Sequence, residues 1–578
     1  MTSIPSPAIV AQSVTKRLPR RVLWLFCLGY ILPGFVGREP WKNADVSAFG
    51  YMMALFNGQS NWFAPQALGQ APEGSALLPY WLGAWALQMA PSWIEPAFAV
   101  RLPFIVLLVV TLLATWQGVY YLARSPRALP VVFAFGGEAK PKDYARTIAD
   151  GGLLALIACL GLAQFSHETT PALPQVCFVA VLFYAVAAMP YHRAIAAAAF
   201  LLGMLGLTLS GAPSVALALG LGSVVMFVTD RQFEGNQRDV FERLDRLKFS
   251  AWMAFCVVCA ASLATYLNVW RFTVSLPSAT WLETQTASRL LLWFGWPAWP
   301  LALWTLWRWR RQMSSLHVAL PLWFVAVAVF SMLLTHGSDR ALLLGLPALA
   351  TLAAFALPTL ERRLSALIDW FTLFFFSVVS LLIWGIWVAM QTGMSSRSVV
   401  FVNKMVPGFV PSFSWMPFIV AILGTLAWLY LVGWRVGRHR TAMWKSMVLP
   451  AGGTALCWLL LMTLWLPMLD FARSYAPLVH RVAETMGSQS CVQIYGLSPG
   501  QAAAFAFHGP LKLQLLKPEQ QSSEQSISAS EEPCPWLIVD ADVEKNLASI
   551  NMTSWRFVTK VRRPSDDNED VLLYRRAN

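Results

Sequence analysis

Charge is what this 578-residue chain has least of. Asp, Glu, Lys and Arg together make up 13% of it, and hydrophobic residues 57%. Soluble domains carry about a quarter charged residues. A string of soluble domains is therefore excluded, and a chain that crosses a membrane many times is expected. The sequence also has no Walker A loop, no HExxH and no GxGxxG following a strand. This argues against an ATP-driven transporter with its own nucleotide domain. There is no tandem repeat. No small-residue cleavage site ends the first apolar run, so the stretch from Val22 is expected as a first transmembrane helix rather than a signal peptide. Lys16-Arg17 and Arg20-Arg21 ahead of it put the N-terminus in the cytoplasm.

The formal charge of +13 resembles that of a nucleic-acid binder. No basic stripe with interleaved aromatics lies in a soluble segment, so nucleic acid is not an expected partner. The 28 tryptophans fit a membrane protein, because Trp favours the membrane–water interface. Of eight cysteines, Cys27, Cys159, Cys177, Cys256, Cys259 and Cys457 lie in or beside apolar segments and read as buried small hydrophobes. Cys491 and Cys534 lie in the polar tail and could pair in an oxidising compartment.

Apolar stretches approaching the ~20 residues that cross a bilayer number about thirteen. They lie near 22–37, 97–122, 150–165, 173–190, 194–210, 212–229, 250–267, 287–307, 317–335, 341–359, 367–391, 414–433 and 446–468. The basic residues test this count. With the N-terminus inside, the cytoplasmic loops hold Arg124, Arg127, Lys140, Lys142 and Arg146, then His192-Arg193, then Arg231 to Lys248. Arg308, Arg310 and Arg311 follow, then Arg362-Arg363, then Arg435, Arg438, Arg440 and Lys445. Every major basic cluster falls on one side, as the positive-inside rule requires. The far side receives loops near 38–96, 166–172, 211, 268–286, 336–340 and 392–413, and everything after 469.

Two extramembrane regions stand out. The loop 38–96 carries the amphipathic pieces Val46–Asn57 and Leu77–Met89, expected to lie along the interface. The tail alternates short apolar runs, Cys491–Tyr495, Leu511–Leu516, Trp536–Val539, Arg556–Val561 and Val571–Tyr574, with Gly, Pro and Ser breaks. That pattern predicts a small α/β domain, with Pro518–Glu532 as a loose loop. The expected division is a membrane domain over 1–469 and a soluble domain over 470–578.

Charged groups on the far side are the candidates for chemistry, because charge near lipid is costly. They include Arg38, Glu39, Lys42, Asp45, Glu73, Arg101, His167, Glu168, Arg271, Glu283, Asp339 and Arg340. Asp45 sits in an aromatic-rich loop just ahead of an amphipathic segment. Its carboxylate could act as a general base on an acceptor or help ligate a divalent cation. It could also be a solvated N-cap of the helix beginning at Val46. Arg340, at the outer end of a span, could bind a phosphate or snorkel to headgroups. His167-Glu168 lies in a very short loop and reads as a polar turn or a site. Arg101 marks the start of the second span, as headgroup anchor or ligand.

The run Trp41 to Leu55, then Asn61-Trp62-Phe63-Ala64-Pro65, then Glu73 to Trp81, resembles the first periplasmic loop of the polyprenyl-phosphate-sugar-dependent glycosyltransferases. That superfamily has the GT-C fold and includes the aminoarabinose transferases of lipid A and the protein O-mannosyltransferases. Ala99-Val100-Arg101-Leu102-Pro103, Arg340 to Ala350, and Val492-Gln493-Ile494-Tyr495-Gly496 with Ser498-Pro499 resemble further family stretches in the same order. The resemblance implies an all-α polytopic membrane protein of about thirteen helices with a small C-terminal α/β periplasmic domain. It also implies transfer of a sugar from a polyprenyl phosphate to lipid A, another envelope glycan or a protein, at the periplasmic face of a bacterial inner membrane. Asp45 would be the catalytic carboxylate. Arg340, Arg101 and Lys42 would hold the donor phosphate, Glu73 and Glu168 would complete the polar site, and a divalent metal is a candidate cofactor. The chain departs from the family at Val46, where an acid is usual. It departs again at Gly74-Ser75, where Lys-Pro would follow the Glu, and at Thr169-Thr170-Pro171, where Thr-Asp-x-Pro is usual. A changed donor or acceptor is consistent with these differences. The competing classes are a secondary transporter or flippase and a non-catalytic scaffold. The long first loop and the tail speak against the transporter, as does the lack of paired broken helices.

Overall fold

A computed structural model of the chain describes residues 6–577, apart from 43, 73, 230–238, 271–280, 336–337, 394–399, 401, 403, 405, 437–441, 488–490, 510, 517–533, 542–553 and 565–568. Glu73, Arg271 and the expected loop Pro518–Glu532 lie outside the described residues, as does the side chain of Glu283.

Every apolar stretch is helical, but not every one is a single long helix. Six helices among the described residues are long and apolar enough to cross a membrane. They are Pro96–Ala123, Arg246–Tyr266, Leu316–Leu334, Arg362–Thr392, Trp415–Arg435 and Lys445–Leu464. Ala172–Ala188, Arg193–Leu209 and Pro213–Thr229 are apolar but shorter. The stretch at 150–165 breaks at Cys159, between helices Pro141–Ala158 and Leu160–Phe165. The stretch at 287–307 divides into Trp281–Phe294 and Ala298–Arg308, across Gly295 and Pro297. The stretch at 341–359 divides into Asp339–Leu343 and Leu346–Ala356, and the first is the short helix Arg20–Ile31. Among the described residues six helices thus qualify as unbroken spans.

Helix ends follow local chemistry. Pro141, Pro213 and Pro499 open their helices, where a missing N–H is harmless. Gly393 closes Arg362–Thr392 at φ +65, a left-handed conformation that glycine adopts without strain. Arg101–Ala123 packs on Ala172–Ala188, which packs on Arg193–Leu209. A Cβ on Gly203 would lie 3.1 Å from the Leu182 backbone nitrogen, so glycine there lets two helices meet closely. Cys256 and Cys259, although spaced as CxxC, are free thiols inside the helix Asp239–Tyr266.

The loops sort to the two ends as the charges predict. At one end the first loop meets 167–169 and the tail, Leu77 N–H donates to Leu209 O at 2.8 Å, and Ser75 Oγ donates to Val269 O. At the other end Trp444 Nε1–H donates to Lys16 O at 2.7 Å, Arg17 pairs with Asp143, and Ser365 meets Ser446.

The tail forms a five-stranded sheet, β1 (Cys491–Tyr495), β2 (Lys512–Leu515), β3 (Trp536–Asp540), β4 (Trp555–Arg562) and β5 (Asp570–Arg576), ordered β2-β1-β3-β5-β4. β1 runs parallel to β2 and β3, and β5 is antiparallel to β3 and β4. Each strand lies on one of the apolar runs anticipated from the sequence. A disulfide joins Cys491 to Cys534, ahead of β3. Helices Ala476–Met486 and Pro499–His508 cover one face, burying Val479, Ala502 and Phe505 with Val492, Ile538 and Leu573. Val46 of the first loop joins this core. The helix Ala44–Phe56 is therefore not a one-faced interfacial helix. Helices Leu78–Met89 and Pro499–His508 both pack on it, and a Cβ on Gly50 would lie 2.4 Å from Ala503 Cβ.

Candidate functional site

The first loop leaves its helix in a tight bend. Gly34 is at φ +95, and a Cβ there would meet the Trp458 ring at 2.5 Å. The bend delivers Arg38, Trp41 and Lys42 ahead of Ala44–Phe56, and Asp45 falls in the first turn of that helix.

Asp45 is 2% exposed and accepts four hydrogen bonds. Arg38 Nη2 donates to Oδ2 at 2.9 Å and Trp41 N–H donates to Oδ2 at 3.2 Å. Thr169 N–H and Oγ1 both donate to Oδ1 at 2.8 Å. The solvated N-cap reading is thus overturned, since the donors lie outside the helix and water is excluded. Burial alone would push this carboxyl up. The Arg38 and Arg101 guanidinium groups and the two bonds from Thr169 outweigh it and hold the carboxyl below its usual range.

Arg38 Nη2 also donates to His167 O at 2.7 Å. Arg101 is buried beneath, donating to the carbonyls of Phe35 and Arg38. It is therefore no headgroup anchor but a brace for the loop. His167 packs among Tyr30, Phe35 and Trp458, and burial pushes its pKa down to about 3, so it is neutral. Next to it Glu168 meets Arg340, Nη2 to Oε2 at 3.0 Å. Burial pushes the Glu168 carboxyl up, against the pull of Arg340. The Arg340 side chain is 38% exposed and also lies over the Phe165 ring.

The structure thus brings Asp45, Arg101, Glu168 and Arg340 to one end of the bundle. Lys42 stands apart: its amine lies 3.7 Å from Glu569 of the C-terminal domain. Among the described residues no three His, Cys, Asp or Glu side chains could share a metal ion, and the Asp45 oxygens are taken by Arg38, Trp41 and Thr169.

The sequence marks Arg38 as a charged outer residue and Thr169 as part of a departure from the family pattern, and it assigns no role to either, or to Asp470 and Arg473. Trp41 Nε1–H donates to Asp470 Oδ1 at 2.7 Å, and Lys42 N–H donates to Arg473 O at 2.7 Å. Arg38 and Arg473 both lie over the Trp41 ring, at 4.6 and 4.9 Å. Burial pushes the Asp470 carboxyl up to about 7, against the bond from Trp41 and with the Glu39 carboxylate adding to the rise. A further run, Gly496-Leu497-Ser498-Pro499-Gly500, has GxSxG spacing between a strand and a helix. Ser498 there is a helix N-cap in a capping box with Gln501, so its hydroxyl serves the helix end rather than nucleophilic attack.

A cavity of about 220 Å³ has Leu342, two residues beyond Arg340, in its lining. Leu291, Phe294, Trp299, Leu342, Gly345 and Leu349 are among its almost wholly apolar lining.

No protein-family model matches the chain, and no curated protein matches its sequence. Solved structures do match it. ArnT from Cupriavidus metallidurans bound to undecaprenyl phosphate superposes with a TM-score of 0.59 at 14% identity, over 96% of this chain and 98% of that one. The same protein in its apo state gives a TM-score of 0.56 at 14% identity over the same shares. The likeness shows the fold: the chain has an ArnT-like fold of the GT-C type.

Proposed function

We propose that this chain transfers a glycosyl group from a polyprenyl-phosphate-linked sugar to lipid A, another envelope glycan or a protein, at the periplasmic face of a bacterial inner membrane. The supporting observation is the gathering of Arg38, Arg101, Arg340 and Arg473 around two carboxyls, next to an apolar cavity. The departing lipid phosphate gains negative charge as the sugar leaves, and fixed guanidinium groups stabilise it there more than in the ground state. Isoprenyl units fit the apolar cavity lined by Leu342 and Leu349. The basic loops at the opposite end put that end in the cytoplasm, so the C-terminal domain covers the working face.

The two carboxyls divide the work. Asp45, held ionised, fixes Arg38 and the 167–169 loop. Glu168, pushed up by burial and paired with the half-open Arg340, is the better proton acceptor for an incoming hydroxyl. Lys42 holds the C-terminal domain against the site and reaches the phosphate only if its contact with Glu569 opens.

Mass spectrometry of envelope glycolipids and glycoproteins from cells with and without the protein tests this. A species heavier by one sugar should vanish on deletion. An unchanged profile would contradict the proposal.

A further inference from the structure

Four guanidinium groups meet at the site, and three are engaged with protein acceptors. Arg38 binds Asp45 and His167 O, Arg101 binds two carbonyls, and Arg340 binds Glu168. Arg473 differs. Its guanidinium lies over the Trp41 ring at 4.9 Å and has no hydrogen bond or ion pair among the described residues. Its strongest charged influences are Glu168, which Arg340 already neutralises, and the like-charged Arg38.

The position of Arg473 is nevertheless fixed. Its carbonyl accepts from Lys42 N–H at 2.7 Å. One turn earlier on the same helix, Leu466–Arg473, Asp470 holds the Trp41 indole N–H at 2.7 Å. A half-buried cation with unused donors, held over an aromatic ring beside a like charge, is unfavourable unless an anion joins it. The same cluster leaves other donors open. Among the described residues, Arg38 Nε and Nη1, Arg101 Nε and Arg340 Nε are buried without a hydrogen-bond partner. A ligand that satisfies several such donors must present multiple anionic oxygens on one centre, which is the chemistry of a phosphate ester.

We propose that Arg473 is a phosphate-binding residue for the lipid donor, so that the donor site is completed by the helix leading into the C-terminal domain. This deepens, and rests on, the reading of the site as one for a polyprenyl phosphate. The arrangement makes the phosphate site a composite of the first loop and the helix Leu466–Arg473, joined at Trp41. Displacing that helix from Trp41 would carry Arg473 away and leave the phosphate with one fewer charged donor.

Full-length protein in nanodiscs, titrated with undecaprenyl phosphate, undecaprenol and inorganic phosphate, tests the proposal. Losing one charge-assisted hydrogen bond weakens binding by about 10- to 100-fold. Arg473→Ala and the stem-preserving Arg473→Gln should both weaken undecaprenyl phosphate by that factor. Undecaprenol affinity and the lipid-free unfolding temperature should stay unchanged. Wild-type affinity in Arg473→Gln, with Arg340→Ala still weakened, would overturn the role of Arg473 and leave the broader reading standing. Equal losses for undecaprenol and its phosphate would also overturn it, as a packing effect. Inorganic phosphate binding as tightly as the lipid phosphate would overturn the lipid assignment. A wild-type protein that does not distinguish undecaprenyl phosphate from undecaprenol would remove the underlying reading itself.

Discussion

Arg38 and Asp45, seven residues apart, form an ion pair of 2.9 Å whose side chains are 0% and 2% exposed. A buried pair of this kind is costly to break from one side, because the remaining charge has no water to turn to. Arg38→Ala and Asp45→Ala should each destabilise the protein by roughly 3–5 kcal/mol. The double variant Arg38→Met/Asp45→Leu should lose much less than the sum. Thermal unfolding of the four proteins in detergent checks this, and additive losses would mean that the pair is not coupled.

Glu168 is the carboxyl assigned to take a proton. Glu168→Gln should lower kcat by about 100-fold or more, in line with the loss of a general base, with little effect on donor affinity. Glu168→Asp should retain part of the activity, with an altered pH–rate profile. A Glu168→Gln enzyme with a wild-type profile would return the role to Asp45, whose Asp45→Asn variant should then be the inactive one.

Asp470 predicts a pH dependence with a definite sign. Its folded pKa of about 7 lies above the roughly 3.9 of a free Asp. The folded protein therefore holds a proton that the unfolded chain has released. Stability from this group falls as pH rises from about 4 to 7, and the penalty is complete above 7. Asp470→Asn should flatten the fall in unfolding temperature between pH 5 and 8. An identical slope in wild type and variant would show that Asp470 is ionised throughout.

The C-terminal domain docks on the first loop through a contact that leaves no room for a methyl group, at Gly50 against Ala503. Gly50→Ala should cost about 1–3 kcal/mol as overpacking and loosen the domain. Ala503→Gly in the same chain should restore it. Protease sensitivity of the 470–490 region, compared among the three proteins, reads the effect, and a tolerated Gly50→Ala would show that the interface gives freely.

Much of the fold was legible in the sequence because its signals are local. The sheet followed from runs such as Trp536–Val539, and the two-ended segregation of loops followed from Arg124, Arg308 and Arg362. Helix continuity was less legible: the break at Cys159 has no proline to mark it, and composition alone does not distinguish one span from two half-helices. At the site, Asp45, Arg101, Glu168 and Arg340 were identified as candidates from charge near lipid. Their partners were not, because pairing is tertiary. Thr169 reaches Asp45 across 124 residues, and Asp470 reaches Trp41 across 429. Arg101, expected as headgroup anchor or phosphate ligand, is buried and donates to the carbonyls of Phe35 and Arg38, and the Lys42 amine lies 3.7 Å from Glu569.

The most direct test of the account is a transfer assay. The purified full-length protein is incubated with a polyprenyl-phosphate-sugar pool and envelope glycolipid acceptors, and released polyprenyl phosphate is followed by mass spectrometry. The account predicts release matched by an acceptor heavier by one sugar, abolished in Arg340→Ala. No release from any such donor, or release equal in wild type and Arg340→Ala, would contradict it.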